Sequence, residues 1–106
     1  MMETDVRMRA AAGGEYVTYR MDDGTVVKTE KSTVVDELVN RLGERETLYQ
    51  SRLGRYWIER VFAQTPSEAD HAEWLSKRAA SRWLLAKGNP LGERVLREAL
   101  ESEGKL

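Results

Sequence analysis

Residues 15–21, EYVTYRM, are rich in strand formers and alternate apolar and polar from Val17 to Met21, and residues 26–30 return as a partner strand after Asp23-Gly24. A period of two marks a half-buried strand. Asp-Gly is a strong signal for a two-residue hairpin turn, because glycine accepts positive φ and aspartate does so better than most residues. Such a turn places Val17, Tyr19, Met21 and Val26 on one face, with Thr18, Arg20, Val27 and Thr29 on the other. The period then lengthens. Val35, Leu38, Val39 and Leu42 recur at helical spacing. Ser32 or Thr33 stands at the N-cap, Thr33 and Asp36 form a weak capping box, and Gly43 is a natural C′ residue. The pattern predicts a short helix here, stabilised mostly by packing on a sheet.

The densest stretch follows, ETLYQSRLGRYWIERV over residues 46–61. Read as a hairpin with Arg52-Leu53-Gly54 as a three-residue loop and Gly54 left-handed, it sets Ser51 opposite Arg55, Tyr49 opposite Trp57 and Leu48 opposite Ile58. One face then carries Leu48, Tyr56, Ile58 and Phe62. The other carries Tyr49, Trp57 and Val61 beside Thr47 and Glu59. Two apolar faces mean that the hairpin is covered on both sides or exposes an aromatic pair. Residues 63–75 read in two ways. Ser67 with Asp70 starts a helix running to Lys87, or residues 63–70 are a loop, His71–Leu75 is a strand and Ser76 caps a helix from Lys77 to Lys87. Asn89-Pro90 reads as an N-cap and N1 proline, opening a last helix to about Glu101 whose apolar face is Leu91, Val95, Leu96, Ala99 and Leu100. Residues 1–14 read as a flexible segment, 15–101 as a single α+β domain and 102–106 as a frayed tail. Two β-hairpins would form a small antiparallel sheet with one helix between them and two C-terminal helices on one face.

The residues Leu48-Tyr49-Gln50-Ser51-Arg52-Leu53-Gly54-Arg55-Tyr56-Trp57-Ile58, followed by Ala72-Glu73-Trp74-Leu75-Ser76, Ala79, Arg82-Trp83-Leu84-Leu85-Ala86-Lys87-Gly88-Asn89 and Leu96, resemble the shared text of a family of small bacterial proteins carried by phages and plasmids. That text reads LYRSxRGRYW for a hairpin and AEWVSxxxAxRWLLxNG for a later segment. The match spans roughly half the chain, in order. It departs at Leu53, where the family has Arg or Lys, and at Asn89-Pro90, which is inserted. The resemblance implies an architecture, favouring a strand over His71–Leu75, and an accessory role on a mobile element. It implies no mechanism.

Composition changes this picture mainly by exclusion. The chain has 106 residues, a formal net charge of −1 and no cysteine. Its length allows one modest core. Its charge provides no global attraction to nucleic acid or membrane. Without cysteine there are no disulfides, thiolate metal sites or cysteine nucleophiles, which fits a reducing cytoplasm. No apolar run approaches the ~20 residues that span a bilayer, and no signal-peptide pattern opens the chain. The single histidine, His71, sits beside Asp70 and Glu73 with no nucleophile elbow or oxyanion loop, so it reads as a solvated loop residue. Asp22-Asp23-Gly24 lacks the spaced acids of a calcium loop. No glycine loop is followed by a phosphate-binding lysine. No catalytic residue, metal or cofactor is expected.

Two surfaces remain as candidates for binding. From Ser76 to Gly88 every charge is positive, namely Lys77, Arg78, Arg82 and Lys87. Lys77, Arg78 and Arg82 are expected on one exposed face, with Arg52 and Arg55 of the hairpin loop extending it. The blander expectation is a solvated face offset by Glu93, Glu98 and Glu101. Tyr49 and Trp57 are the second candidate, since large aromatics dominate protein interfaces. Lys28 and Lys31 read as protection of a strand edge. The expected function is thus non-enzymatic: macromolecular binding as a mobile-element accessory protein, for example an anti-CRISPR-like inhibitor that blocks a nucleic-acid site on a host defence protein. The alternative is a small DNA- or RNA-binding module using the basic helix 77–87. The expected partner is a protein or a nucleic acid and not a membrane, with the chain a monomer or small homo-oligomer.

Overall fold

The structure is a computed structural model that describes residues 16–62 and 71–104. The expectations for residues 1–14, and the loop expected over 63–70, lie outside the described residues. The fold is α+β: two antiparallel sheets, of two and four strands, and two helices. The first sheet is a ribbon of β1 (Thr18–Arg20) and β2 (Val26–Lys28). One turn of 3-10 helix, Thr29–Lys31, leads into a meander of β3 (Thr33–Val39), β4 (Arg45–Gln50), β5 (Tyr56–Val61) and β6 (His71–Leu75). Helices α1 (Lys77–Ala86) and α2 (Leu91–Ser102) complete the chain.

One turn geometry joins three of the strand pairs. In Met21–Thr25, Asn40–Glu44 and Ser51–Arg55 the first residue's N–H donates to the last residue's carbonyl, at 2.7, 3.0 and 2.7 Å. In each, the glycine N–H donates back to the first carbonyl, and φ is 87°, 83° and 90° at Gly24, Gly43 and Gly54. This is a three-residue loop closed by a left-handed residue. At Gly54 it matches the expected loop, and the register Leu48↔Ile58, Tyr49↔Trp57 follows.

The same geometry corrects two expectations. The first hairpin has a three-residue loop, not a two-residue one, so Tyr19 pairs with Val27 and Arg20 with Val26. Val27 and Thr29 are buried and Val26 is exposed, the reverse of the expected faces. Asp-Gly suits either loop; here Asp23 Oδ1 accepts from the Thr25 N–H at 3.0 Å, which fixes the longer one. The second correction is larger. No helix lies between the hairpins; residues 33–39 form β3, paired antiparallel with β4 and bulged between Val34 and Asp36. Thr33, Val34, Val35 and Val39 are β-branched and favour a pleated surface. Asn40 caps the turn with its side chain, accepting from the N–H groups of Leu42 and Glu44. The left-handed Gly43 thus closes a hairpin, not a helix.

The meander is covered on both faces. On one, Leu48 and Tyr56 pack with Ala80 and Leu84 of α1 and Val95 of α2. On the other, Tyr49 and Trp57 pack with Met21 and Val27 of the ribbon. Trp57 is fully buried and stacked on Tyr49, ring centroids 4.4 Å apart at 14°. The ribbon is pinned by polar contacts as well. Trp57 Nε1 donates to Ser32 Oγ at 3.1 Å, and Tyr19 and Tyr49 donate their hydroxyls to Glu59, which is only 1 % exposed. A buried carboxylate is tolerated where it accepts such bonds.

Of the two readings of residues 71–87, the strand and the shorter helix are observed. β6 pairs with β5, and Ser76 Oγ accepts from the Ala79 N–H at 3.0 Å as the cap of α1. Asn89 Oδ1 accepts from the Leu91 N–H at 2.9 Å and so caps α2 with Pro90 in helical backbone. The helices approach closely at Gly92, where an added Cβ would lie 2.7 Å from Leu85 Cγ and 2.9 Å from Ser81 O.

Two stability outcomes follow. Trp57→Ala should cost about 3–5 kcal/mol, as expected of a buried aromatic truncated in a core. Trp83→Ala should cost less, because Trp83 is only partly buried against its core cluster. Equal losses in denaturant melts would contradict the two-sided cover of β5. Gly92→Ala should cost about 1–3 kcal/mol by forcing α2 away from the α1 backbone; a neutral or stabilising effect would show that the helix crossing is looser than drawn.

Candidate functional site

The end of the meander that carries the β4–β5 turn gathers the cations. Two clefts flank this turn. The first, about 430 Å³, lies between the turn and the ribbon and is lined in part by Val26, Lys28, Lys31, Arg52, Leu53, Arg55 and Trp74. The second, about 510 Å³, lies between the turn and the start of α1, with Gln50, Leu53, Arg55, Trp74, Ser76, Lys77 and Glu98 among its lining. Leu53, Arg55 and Trp74 line both. Leu53 is 92 % exposed.

Among the described residues, Lys28, Lys31, Arg52 and Lys77 have no ion-pair partner. Arg55 is held differently. Its guanidinium lies 3.7 Å from the Trp74 ring centroid, a close cation–π contact, and 4.0 Å from Asp23 Oδ2. Asp23 is held below the ordinary carboxylate range, first by hydrogen bonds from Thr25, and in smaller part by the Trp74 indole and the Arg55 charge. The Trp74 N–H faces that carboxylate without hydrogen-bond geometry and is otherwise unpartnered.

The expected basic helix face is divided by the structure. Arg78 is locked by Glu103, its Nε 2.9 Å from Oε2 and its Nη2 2.9 Å from Oε1. The acid is Glu103 of the α2 terminus, not Glu93, Glu98 or Glu101. Lys87 is paired with Asp36 of β3. Arg82 is exposed without a partner among the described residues. Lys77 does not share a face with Arg78 and Arg82. It lies seven residues from Leu84, hence almost in line with that buried side chain, and turns into the second cleft. Tyr49 and Trp57 are not available to a partner: at 3 % and 0 % exposure, both belong to the core under the ribbon. The site the structure assembles is therefore Arg52, Arg55 and Lys77 from the expected set, joined by Lys28, Lys31, Leu53 and Trp74. The two lysines carried a sequence signal, read as edge protection; their distance from Arg52 along the chain hid the cluster.

His71 enters a structural network instead. Its Nε2 is 3.2 Å from Glu73 Oε1, Arg60 donates to Glu73 and to Glu46, and Trp83 Nε1 donates to Glu46 at 2.8 Å. This chain ties three strands to α1. No protein-family model, curated protein or solved structure matches the chain. Among the described residues, no helix is long and apolar enough to cross a membrane.

The network sets an acid limit. Burial alone would raise the Glu46 carboxyl, but the bonds from Trp83 and Arg60 outweigh it and hold the group low. Glu73 is lowered by His71 and then Arg60. Burial also opposes ionisation of Asp36, yet Lys87 and Asn89 keep it low. Each group binds fewer protons folded than unfolded. Its stabilisation is complete above the unfolded pKa, about 4, and is lost as pH falls through the lowered folded value. Melting temperature should hold steady from neutrality to about pH 5 and drop below about pH 4. Glu46→Gln should flatten that drop; a variant with an unchanged acid limb would remove Glu46 from the explanation.

Proposed function

We propose that the protein is a non-enzymatic module that binds a nucleic-acid duplex at the β4–β5 hairpin tip. The observation that supports this reading is the convergence of Lys28, Lys31, Arg52, Arg55 and Lys77 on two adjoining clefts, where Glu98 is the acid among the described lining residues and Asp23 lies 4.0 Å from Arg55. The chain as a whole is near neutral, so the attraction is local and acts at contact distance. Phosphates suit such a surface because each one neutralised releases counterions. Arg55, stacked on Trp74, is held in place before any ligand arrives, which lowers the entropy lost on binding.

An accessory role on a mobile element is compatible with this reading. Inhibition of a defence protein by covering its nucleic-acid site is less so. Such a site is itself cationic, and the cations at this tip would be repelled by it. The tip suits the nucleic acid itself. The basic cluster also moves the contact away from the exposed face of α1, where Arg78 is already neutralised.

A labelled duplex titrated by fluorescence anisotropy from 50 to 200 mM salt tests the proposal. Binding without sequence preference should fall in the ~10⁻⁴–10⁻⁶ M range near physiological salt and weaken steeply as salt rises. Lys31→Ala with Arg52→Ala should weaken every sequence about equally and flatten the log–log salt slope by about 1.8, or about 0.9 per contact. Arg78→Ala should leave the slope unchanged. Affinity indifferent to salt, or to the Lys31 and Arg52 pair, would sink the reading.

A further inference from the structure

We propose that Leu53 is a wedge that enters the base stack of a duplex laid across the two clefts, an inference that rests on the nucleic-acid reading above. A single exposed leucine is ordinary on a protein surface. Leu53 differs in three respects. It is 92 % exposed at the apex of a hairpin turn, the least buried of the large apolar side chains described. It lines both clefts, together with Arg55 and Trp74, so a duplex seated in the two passes over it. It is also flanked by Arg52 and Arg55, which places a cation on each side of the apolar group.

The turn is rigid enough to push. Ser51 N–H donates to Arg55 O at 2.7 Å, Ser51 Oγ accepts from the Arg55 N–H at 3.1 Å, and Gln50 Nε2 donates to Gly54 O at 3.3 Å. Gly54 takes φ 90°, a conformation that other residues adopt only under strain. Below the turn, Arg55 is braced by Trp74 at 3.7 Å. An apolar side chain so presented unstacks a base step at a cost that the flanking phosphate contacts offset, and pyrimidine–purine steps yield most easily.

The chain contains its own control. Asn40-Arg41-Leu42-Gly43-Glu44 repeats the Arg-Leu-Gly sequence and the turn geometry at the opposite end of the sheet. Leu42 is 61 % exposed, but its turn closes on Glu44, and the neighbouring cleft mixes Arg45 and Arg60 with Glu44 and Glu46. If exposure alone made a wedge, Leu42 would be one as well.

The test is a short duplex carrying 2-aminopurine at a TA step, whose fluorescence rises when the base is unstacked. Wild-type protein should raise it. Leu53→Ala should lose the rise while keeping the salt slope of binding, because no charge is removed; Leu53→Phe should keep the rise, and Leu42→Ala should behave as wild type. Leu53 and Leu42 touch solvent, so folding is not at issue, and a thermal melt verifies that. A rise that persists in Leu53→Ala overturns the wedge. So does wild-type binding with no rise at any step, which leaves the nucleic-acid reading standing. Absence of binding to any duplex removes that reading and the wedge with it.

Discussion

The β4–β5 hairpin is apolar on both faces, and the rest of the fold answers that constraint. Trp57 and Tyr49 point one way, Leu48, Tyr56 and Ile58 the other. A sheet with one solvated face would leave an indole and a phenol in water. The chain supplies a separate cover for each side: two helices against Leu48 and Tyr56, and a ribbon of three-residue strands against Tyr49 and Trp57. So short a ribbon has little stability of its own. It persists because Met21 and Val27 are buried on the sheet and because Tyr19 and Ser32 reach across to Glu59 and Trp57.

The two covers leave the hairpin tip between them, and the clefts arise there. The ribbon borders one side of the Ser51–Arg55 turn and the N-terminus of α1 the other. Each border brings cations from a distant part of the sequence, Lys28 and Lys31 from the ribbon and Lys77 from the helix. Several cations elsewhere are neutralised. Arg60 lies between Glu46 and Glu73, Arg78 meets Glu103 and Lys87 meets Asp36. A chain of formal charge −1 thereby presents a locally positive tip, offset in part by Asp23 and Glu98, without a strong overall field.

The central hairpin was legible to the residue, because the loop glycine and the alternation agree on one register. The last helix was legible for the same kind of reason, local chemistry and pattern pointing together, whereas Ser76 was one of two candidate helix starts and the pairing of β6 with β5 decides for it. Where chemistry and pattern diverge the reading failed. Val35, Leu38, Val39 and Leu42 satisfy a helical period, but this segment is an edge strand whose side chains are mostly exposed, and exposed positions carry no reliable period. The bulge after Val34 shifts the alternation as well. In the first hairpin a single extra loop residue reversed the faces of β2. The candidate surface was half legible. Arg52, Arg55 and Lys77 stand out in sequence, whereas their union with Lys28 and Lys31 depends on where the ribbon docks. Tyr49 and Trp57 drew attention as aromatics on a mixed face; the mixture reflects Glu59 and Thr47, buried beside them with hydrogen bonds that sequence does not display.

That docking also couples the proposed ligand to the fold. Lys28 and Lys31 belong to the less securely built of the two covers, whereas Arg52 and Arg55 belong to the doubly buried hairpin. A polyanion held by both sets bridges the ribbon to the sheet. It would favour the docked state over any state with the ribbon displaced, because displacement separates the cations that grip it. The reverse holds by linkage: whatever loosens the ribbon weakens the grip by the same free energy. The Glu59 contacts with Tyr19 and Tyr49 would therefore act on the proposed binding at a distance, although none of these groups lines either cleft. Loss of the Tyr19 hydroxyl would free one edge of the ribbon and leave Arg52, Arg55 and Lys77 where they are. Affinity would then fall through Lys28 and Lys31 alone, and the salt dependence would shrink toward that of the hairpin tip and helix. The core that covers Trp57 and the charge offered to the proposed ligand are in this way two faces of one short ribbon.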